Sequence, residues 1–460
     1  MYGVNISSTV KNKPQIGDVY YKKRNSYSPI GNNEVHQFLQ QLRLHNITLI
    51  RQIICIDEVL NEDDTLRLDY LQQFADFSQL LFDYGFKVIL DFHQDIFSRQ
   101  LGGCGLPLKY IPIHHRNIIL KLGHEGKFWG SSPLYSTIQS ECWANFYSNC
   151  QQMYKTDLLK IITQLKVSLK SFAFYSYIDL INEPGCSPVK YSKFIFEHNI
   201  PQRTQLSQLY SVLITELEPE IKRFDTKFII EPFNYDVSQI ALKYIGLGEL
   251  NITIEQRNSV VYGAHVYQPT FTSNLKAIVL NHLKEQKKHG LCDIIIGEFG
   301  DLTQGKNSRK FKQQLKLFKQ LDLTQIIWEC DPNYNTETCT YVQDRYPWNH
   351  EDMSIMRGLD TTKLGVLYFQ SAKSKHVKIL KSFYEDIENT YIRCIEWIGA
   401  KIRFNYCFKA IQANYVDIRI FALKHNIWIL FENGYCYSSS PVLGFDNHKL
   451  IYCLGGVEIV

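Results

Sequence analysis

Two glutamates, each at the end of a short apolar run, are the residues best placed to do chemistry. Glu183 lies in the run Tyr175 to Pro184, and a second glutamate ends the run Asp293 to Glu298. Both runs are rich in aromatic or β-branched residues and too short for a typical helix, which predicts strands buried on both faces. In a barrel of parallel strands, polar groups at the C-terminal strand ends point into the mouth. The two carboxylates are therefore expected to face one another there.

Facing carboxylates are what the hydrolysis of a glycosidic bond requires. One carboxylic acid protonates the leaving oxygen while a second carboxylate acts at the anomeric carbon, and retaining enzymes hold the two about 5 to 5.5 Å apart. The hypothesis assigns Glu183 as acid/base and Glu298 as nucleophile. Each residue also has a plainer explanation, because Asn-Glu-Pro often starts a helix and Glu298 could form only an ion pair with Arg51. Their joint occurrence at successive strand ends favours catalysis.

Three neighbouring residues fit supporting roles in that chemistry. Asn182 would lie beside the acid and bond the sugar 2-hydroxyl, an interaction that strengthens in the transition state. Arg51, which ends the predicted second strand, would keep the nucleophile ionised because a nearby cation favours the charged carboxylate. Tyr267 could donate a hydrogen bond to the same carboxylate. The proximity of the two carboxylates would in turn raise the pKa of the acid.

Three further residues allow more than one interpretation. Trp328 offers either an aromatic face for a sugar ring or a core side chain. His93 and His265 could be hydrogen-bonded core histidines, or the ligands of a metal-dependent hydrolase. A carbohydrate- or lipid-binding protein on a catalytically dead barrel is a separate alternative. Dead enzymes commonly lose a catalytic carboxylate, whereas both are present here.

The spacing of the apolar runs predicts a closed barrel of eight strands. The last four runs start 33, 33 and 31 residues apart, which matches one βα unit of roughly 31 residues. The two glutamates are 115 residues apart (298 − 183), or three to four such units. The predicted strands are Tyr2 to Ile6, Ile47 to Arg51, Phe86 to Asp95, Tyr175 to Pro184, Lys227 to Glu231, Val260 to Tyr267, Asp293 to Glu298 and Thr324 to Glu329. No Gly-x-Gly-x-x-Gly turn follows the first strand, so a dinucleotide-binding fold is not indicated.

A long insertion, from Ile96 to about Cys142, separates the third strand from the helix that precedes the fourth. Its glycine-rich stretch Gly102 to Pro107 and its Phe128-Trp129 pair favour an ordered substrate loop over a linker. The segment Leu101 to Ile113 is apolar enough either to line a lipid slot or to pack on the barrel. Elsewhere helices are predicted at 31–45, 64–84, 274–289 and 308–321.

The sequence changes in character at about Ala372. Short predicted strands without intervening helices, at 402–406, 415–420 and 426–431, indicate a small antiparallel sandwich. The expected fold is therefore α/β, a (β/α)8 TIM barrel over residues 1–371 followed by an antiparallel β-sandwich domain over residues 372–460.

The composition of the chain limits which partners and which cellular compartment we expect. A net charge of +4 on 460 residues, without a basic run, does not indicate nucleic acid. No run reaches the roughly 18 apolar residues of a membrane span. No secretory signal is visible, so we expect a cytoplasmic protein if residue 1 is the native start, and a secreted or lysosomal one if the chain is cropped. The twelve dispersed cysteines favour buried free thiols, Cys292 and Cys330 among them.

Several motifs together resemble glycoside hydrolase family 5. They are Arg51, Ile181-Asn182-Glu183-Pro184, His265-x-Tyr267 and Gly297-Glu298-Phe299-Gly300. Further motifs are similar to the endoglycoceramidase and fungal glucosylceramidase or sterylglucosidase branch of that family. These are Gly3-Val4-Asn5-x-Ser7-x-x-x-Lys11, His93-Gln94-Asp95 with Ser98-Arg99, Gly102-Gly103-x-Gly105-x-Pro107, Trp328-x-x-Asp331-Pro332 and Trp348-Asn349-x-Glu351-Asp352. The resemblance covers residues 3 to about 370.

The resemblance implies a retaining enzyme that cleaves a β-glucosidic bond to ceramide or a related lipid, with neither a metal nor a cofactor. It also implies that Lys11, His93 and Asp95 contact the glycan. We expect a monomer whose partner is a glycolipid at a membrane surface, and no nucleic acid. Release of an intact oligosaccharide from ceramide, and of glucose alone from glucosylceramide or a steryl glucoside, both stay open; a β-glucan endohydrolase is less expected. One departure from the family is Glu329-Cys330, which places an acid and a thiol at the rim.

Overall fold

The closed barrel predicted from the sequence is present. A computed structural model describes residues 1–6, 35–101, 103–116, 133–169, 172–185, 200–233, 246–267, 274–300 and 309–330, with six short strand segments after residue 330. Eight parallel strands pair in chain order, and the last closes onto the first. They are Tyr2–Ile6 (β1), Leu49–Ile54 (β2), Lys87–Phe92 (β3), Tyr175–Asp179 (β4), Lys227–Ile230 (β5), Val260–His265 (β6), Asp293–Phe299 (β7) and Thr324–Ile327 (β8).

Helices join the strands. Those described are Val35–Leu44, Ile56–Val59, Leu68–Asp83, Pro133–Asn145, Gln151–Ser168, Ile200–Ile221, Ile254–Arg257, Leu275–Lys288 and Arg309–Gln320. A π turn covers Phe146–Cys150, and 3₁₀ turns cover Arg99–Leu101, Leu108–Tyr110, Phe172–Phe174 and Lys222–Phe224. Among these described helices, none is both long and apolar enough to cross a membrane.

Local sequence explains where the helix Leu275–Lys288 begins and ends. The Asn274 side chain accepts a hydrogen bond from the backbone N–H of Ala277 at 3.1 Å, which satisfies one of the free donors of the first turn. Lys287 and Lys288 lie in the last turn, where cations complement the negative end of the helix dipole. These signals are local, and the predicted range 274–289 agrees with the observed helix.

The barrel interior is filled by an apolar layer. Its six fully packed members, each from a different strand, are Leu49, Ile89, Ile229, Val261, Ile295 and Ile326. Tyr177 of β4 packs against this layer from the seventh strand to contribute. The alternate residues of the same strands, such as Ile50 and Val88, belong to the larger core shared with the helices. The strands are thus buried on both faces, which is why they read as continuous apolar runs.

Five predicted strand ends were wrong by two residues or more, among them those of β3, which ends at Phe92, and β6, which ends at His265. β2 continues to Ile54, so Arg51 lies within the strand rather than at its end. β4 ends at Asp179, and β8 ends at Ile327. Beyond β4 the N–H of Glu183 is bonded by a side chain rather than by a neighbouring strand. Glu183 therefore belongs to the loop after β4.

The predicted insertion contains more regular structure than expected. The helix before strand four begins at Pro133, well before Cys142. Proline is well suited to the first helical turn, because its missing N–H would have no partner there. In the apolar segment at 101–113, Leu106 and Ile111 are buried in the core, whereas Ile113 is 75% exposed. The described part of this segment mostly packs on the barrel.

Only part of the predicted C-terminal sandwich domain lies within the described residues. Short strands pair antiparallel, Ile427–Trp428 with Tyr452–Leu454 and Leu430–Glu432 with Tyr435–Tyr437. The predicted strands at 402–406 and 415–420, and the boundary at residue 371, lie outside the described residues. The sandwich domain therefore stays a prediction.

The cysteines agree with the prediction of free thiols, with one correction. Cys55, Cys104, Cys142, Cys150 and Cys330 form no disulfide among the described residues, and all five are buried. Cys292 is free but exposed. It immediately precedes β7, at the end of the barrel away from the mouth, where the chain emerges from a surface turn.

His45 is expected to make stability depend on pH. It is buried in the turn after the first helix, and its Nδ1 has no hydrogen-bond partner among the described residues. Burial lowers the pKa of His45 to about 4. The unfolded chain therefore binds a proton near pH 6.5 that the folded chain does not bind. The contribution of His45 to the free energy of unfolding is complete above that pH and is lost as the pH falls.

The measurement is the free energy of unfolding in denaturant at about pH 7 and about pH 5, for wild type and for His45→Phe. Wild type should lose about 2 kcal/mol more than the variant over this interval. Equal losses in the two proteins would mean that His45 is not the group responsible.

Candidate active site

The polar mouth of the barrel follows from the two-residue period of its strands. Side chains two positions apart on a strand point to the same side. The apolar interior residue of a strand is therefore followed, two positions later, by a residue one layer nearer the mouth. These pairs are Leu49 and Arg51, Ile89 and Asp91, Tyr177 and Asp179, and Ile229 and Glu231. A cation and three carboxylates thus meet above the apolar layer.

Arg51 is the centre of this polar layer and is 0% exposed. Its guanidinium lies 2.7 Å from Glu298, 2.8 Å from Asp179, and 3.1 Å from both Asp91 and Glu231. Burial opposes the charge, but the four carboxylates hold the pKa of Arg51 well above its ordinary value. A single buried guanidinium therefore ties together side chains from β3, β4 and β7 and from the residue that follows β5.

Glu298 has donors on both of its oxygens. Arg51 Nη1 donates to Oε1 at 2.7 Å, and the hydroxyl of Tyr267 donates to Oε2 at 2.9 Å. The two hydrogen bonds fix the orientation of the carboxylate. The side chain is 6% exposed, at the floor of the mouth. Glu298 is thus oriented and supplied with positive charge, as a nucleophilic carboxylate needs.

Glu183 is held in a different environment. Burial raises the pKa of its carboxyl; the His265 ring nitrogen Nδ1, 2.9 Å from Oε1, opposes this, and the charge of Glu298 adds to it. Its backbone φ is +39°, in the left-handed region. Gln94 Nε2 donates to the carbonyl oxygens of both Asn182 and Glu183 at 2.7 Å. A carboxyl with a raised pKa on a fixed backbone suits a general acid.

The two glutamates are close enough for a double displacement. Single carboxylate oxygens of Glu183 and Glu298 and a ring nitrogen of His265 all lie within 4.8 Å of one another. This spacing is of the order of the 5 to 5.5 Å typical of retaining glycosidases and shorter than the roughly 6.5 to 9.5 Å of inverting ones.

His93 and Trp328 form one wall of the mouth. His93 Nδ1 lies 2.8 Å from Asp91, and its Nε2 lies 3.0 Å from Asp95. The ring of Trp328 stacks on His93 with centroids 5.6 Å apart and an interplanar angle of 6°. Trp328 is 2% exposed, so one face of its ring packs against the histidine rather than facing the opening.

Asn182 joins this wall to the catalytic centre. Its Oδ1 accepts from Arg51 at 2.8 Å, and its Nδ2 donates to the Gln94 carbonyl at 2.9 Å. The structure thus brings the predicted site residues together, apart from one. They are Arg51, His93, Asp95, Asn182, Glu183, His265, Tyr267, Glu298 and Trp328. Lys11 lies outside the described residues.

Three groups in the described part of the chain have donor atoms close enough to hold a metal ion. They are Glu183 with His265 and Glu298, His93 with Asp95 and Cys104, and His114 with His115 and Glu141. In the first group, the oxygens of Glu298 already accept hydrogen bonds from Arg51 and Tyr267. The second is a mixed nitrogen, oxygen and sulfur set of the kind that zinc prefers.

Several residues of the site were missed by sequence reasoning. Asp91, Asp179 and Glu231 carried a usable signal, because each lies two positions after an inward-facing residue of its strand. Burial, followed by the neighbouring Glu231, raises the pKa of Asp179 well above its ordinary value, while Arg51 opposes this shift. Gln94 was named only within the motif His93-Gln94-Asp95, and its role could not be inferred because that role depends on where the loop after β4 lies.

Arg51→Met is expected to destabilise the fold by about 3 to 5 kcal/mol, because it leaves buried carboxylates without their cation. Urea unfolding of the variant and of wild type, at about pH 7 and about pH 5, measures this. The loss should shrink at the lower pH, where protonation of the carboxylates removes part of their repulsion. Arg43→Met is the control; Arg43 is exposed and donates one hydrogen bond, to Gly85, so its loss should stay below about 1 kcal/mol. Equal losses in the two variants would contradict the prediction.

The barrel and its paired carboxylates define a class of protein, the barrel enzymes that act on glycosidic bonds. A family model described as cellulase (glycosyl hydrolase family 5) matches residues 19–334, more than half of the chain. The chain belongs to glycoside hydrolase family 5, and is accordingly a hydrolase of O-glycosyl bonds. A search of curated protein sequences finds no match.

Solved structures with the same barrel include glycolipid-cleaving enzymes. Endo-glycoceramidase II from Rhodococcus sp., in a ganglioside GM3 complex, is 15% identical over 72% of this chain and 73% of that chain, with a TM-score of 0.51. Its lactosyl-enzyme intermediate covers 72% of each chain at the same identity and TM-score. An endogalactoceramidase is 14% identical over 72% of this chain and 70% of that chain, with a TM-score of 0.51. At these identities the likeness shows the fold alone.

Proposed function

We propose that this chain is a retaining β-glycosidase that hydrolyses the bond between a β-linked, glucose-headed glycan and a lipid such as ceramide. The observation that carries the retaining mechanism is the separation of Glu183 and Glu298, whose nearest oxygens lie within 4.8 Å. At this distance one carboxylate can reach the anomeric carbon while the other reaches the leaving oxygen.

In the first step Glu298 attacks the anomeric carbon as Glu183 gives its proton to the departing lipid oxygen. The bond from sugar to lipid breaks, and a covalent glycosyl-enzyme forms. Tyr267 and Arg51 hold the oxygens of Glu298, which fixes the direction of attack. In the second step Glu183, now a carboxylate, takes a proton from water, and the water oxygen replaces Glu298 at the anomeric carbon with net retention of configuration.

The glycolipid substrate is supported by motifs rather than by fold alone. The motif His93-Gln94-Asp95 forms one side of the mouth here, and Gln94 fixes the loop that carries the acid. The similar barrel from Rhodococcus sp. is named an endo-glycoceramidase and was captured with ganglioside GM3. We propose a glycolipid partner met at a membrane surface by a monomer, with no nucleic acid and no cofactor.

The first experiment is incubation of the purified chain with glucosylceramide and, separately, lactosylceramide, each carrying a fluorescent ceramide. Release of disaccharide from lactosylceramide would establish endo cleavage. Cleavage of glucosylceramide alone would indicate a glucosylceramidase, and a steryl glucoside would be tried in parallel. Hydrolysis of none of these lipids would overturn the glycolipid proposal and direct attention to β-glucans. Full activity in a chelator would exclude a metal-dependent hydrolase.

A further inference from the structure

Glu231 is a buried carboxylate that the proposed mechanism does not use. It follows β5, is 2% exposed, and lies among the functional groups of the mouth. Its Oε2 accepts the backbone N–H of Glu183 at 2.7 Å. Its Oε1 lies 2.9 Å from His265 Nε2 and 3.1 Å from an Arg51 nitrogen. One side chain thus contacts the backbone of the acid, the histidine beside the acid, and the cation beside the nucleophile.

We propose that Glu231 is a positioning residue that keeps His265 protonated and fixes the backbone of Glu183, and so sets the pH at which the enzyme loses its general acid. This inference deepens the proposed function and rests on Glu183 being the acid. Glu231 itself touches neither the leaving oxygen nor the anomeric carbon in this mechanism, and acts through its two neighbours.

The charge on His265 follows from what its ring faces. Nδ1 lies 2.9 Å from Glu183 Oε1 and 3.5 Å from Glu298 Oε2, while Nε2 lies 2.9 Å from Glu231 Oε1. Both nitrogens therefore lie close to carboxylate oxygens, and negative charge on both sides of the ring favours the imidazolium. Burial opposes this charge, but Glu231 and then Glu298 outweigh it and hold the pKa of His265 well above its ordinary value.

Glu231 is the ionised partner of that pair. Burial would favour its neutral form, yet His265 and then Arg51 lower the pKa of Glu231 to about 2. The charged and titratable groups that face the pair come from every neighbouring element. Those that interact with the pair directly are Arg51 of β2, Asp179 of β4, Glu183 of the next loop, Tyr210 of the helix Ile200–Ile221 and Glu298 of β7. Asp91 of β3 contacts Arg51, and Tyr267 after β6 contacts Glu298.

The backbone of Glu183 is held from two sides. A φ of +39° is uncommon for a residue with a side chain and persists only where the surroundings determine it. Glu231 takes the N–H of this residue, and Gln94 donates to its carbonyl oxygen at 2.7 Å. Glu231 and Gln94 therefore share the backbone task, whereas only Glu231 reaches the ring of His265. Variants of Glu231 and Gln94 can therefore separate the effect of positioning the Glu183 backbone from the effect of the charge on His265.

Removal of the Glu231 charge should raise the pH at which activity is lost. Without its strongest carboxylate partner, His265 becomes neutral in the ordinary pH range. Glu183 then loses the neighbouring cation that opposes the effect of burial, so its pKa rises and the acid stays protonated to higher pH. The basic limb of kcat/KM, which reports the acid of the free enzyme, should move upward by about one pH unit.

The first experiment measures the charge on His265 and needs no substrate. Nitrogen-15 spectra of histidine-labelled protein would be recorded between about pH 5 and pH 8. The chain has 14 histidines, so the spectrum of His265→Asn assigns the signal of interest. In wild type the His265 ring should stay doubly protonated throughout; in Glu231→Gln it should titrate. A ring that stays charged in Glu231→Gln, or is neutral in wild type, overturns the inference.

The kinetic test measures kcat/KM as a function of pH on whichever glycoside the wild-type protein hydrolyses. It compares variants that alter the positioning of the Glu183 backbone with variants that also alter the charge on His265. Glu231→Gln should lower kcat/KM roughly 10²-fold and move the basic limb upward. Glu231→Asp keeps the charge, so its limb should stay near the wild-type position even if the rate falls. Gln94→Met should lower the rate with no movement of the limb.

Glu285→Gln controls for the loss of a buried carboxylate from a histidine, since Glu285 lies 3.0 Å from His289 on an outer helix. Its pH profile should match wild type. An unmoved limb in Glu231→Gln, or one that moves to lower pH, overturns the inference even when glycolipids are hydrolysed. Failure of the glycolipid assay alone overturns the proposed substrate and leaves the histidine spectra to decide on Glu231.

Discussion

Glu298→Gln is expected to lower kcat by at least about 10⁴-fold on any glycoside that the wild-type chain hydrolyses. The amide keeps the shape of the side chain but cannot attack the anomeric carbon, so no glycosyl-enzyme forms. Product release from fluorescent glucosylceramide measures the loss. Glu285→Gln, which removes a buried carboxylate outside the mouth, should keep kcat close to wild type. Wild-type activity in Glu298→Gln would exclude Glu298 as nucleophile.

A second variant identifies the step that is lost. In Glu298→Gly, an added azide ion can enter the space of the missing carboxylate and attack the anomeric carbon of an activated β-glycoside. The leaving group departs, and a glycosyl azide of inverted, α configuration forms. Recovery of the β-glycosyl azide instead would place azide on the opposite face, and would mean that the roles of the two glutamates are exchanged.

Glu183→Gln is expected to lower kcat/KM on a lipid glycoside by about 10²- to 10⁴-fold, the contribution typical of a general acid. The alkoxide of a lipid is a poor leaving group and needs the proton that Glu183 supplies. A dinitrophenyl glycoside departs without protonation, so the variant should form its glycosyl-enzyme at nearly the wild-type rate. The subsequent attack by water still needs a base, so a burst of released phenol should precede slow turnover.

The comparison of these two substrates is the control for folding. A misfolded Glu183→Gln protein would lose activity on both in equal measure and show no burst. Equal losses on the lipid and the activated glycoside would therefore contradict the assignment of Glu183 as acid. Azide should accelerate the second step in this variant and yield the β-glycosyl azide, the opposite outcome to that expected for Glu298→Gly.

Much of the barrel was predictable because its signals are local. The 31- to 33-residue spacing of the last four runs predicted the repeat, and all eight strands were found in chain order. Strand ends were less predictable, as Arg51 and Glu183 show. A strand ends where its ladder partner is lost, and for Glu183 the replacement partner is a side chain 48 residues away.

The proximity of the two glutamates proposed as catalytic was predictable for a similar reason. Glu183 and Glu298 each interrupt an apolar run. A carboxylate at such a position is not explained by packing in the core, so it stands out as a candidate for function. Arg51 and Tyr267 were placed beside the nucleophile by the order of the strands, and the structure has both contacts. His265 was visible as a histidine at a strand end, yet its charge could not be inferred without knowledge of what its two nitrogens face.

The set of elements and the two carboxylates could be inferred from the sequence, because strand period, helix caps and apolar runs act over neighbouring residues. Tertiary structure alone decided how those carboxylates differ. The contacts of Arg51 with Asp179 and Glu298 join residues 128 and 247 positions apart. Glu231 reaches the Glu183 backbone and the His265 ring only after the barrel closes. Protonation depends on burial and on nearby charge, and both exist only in the folded chain.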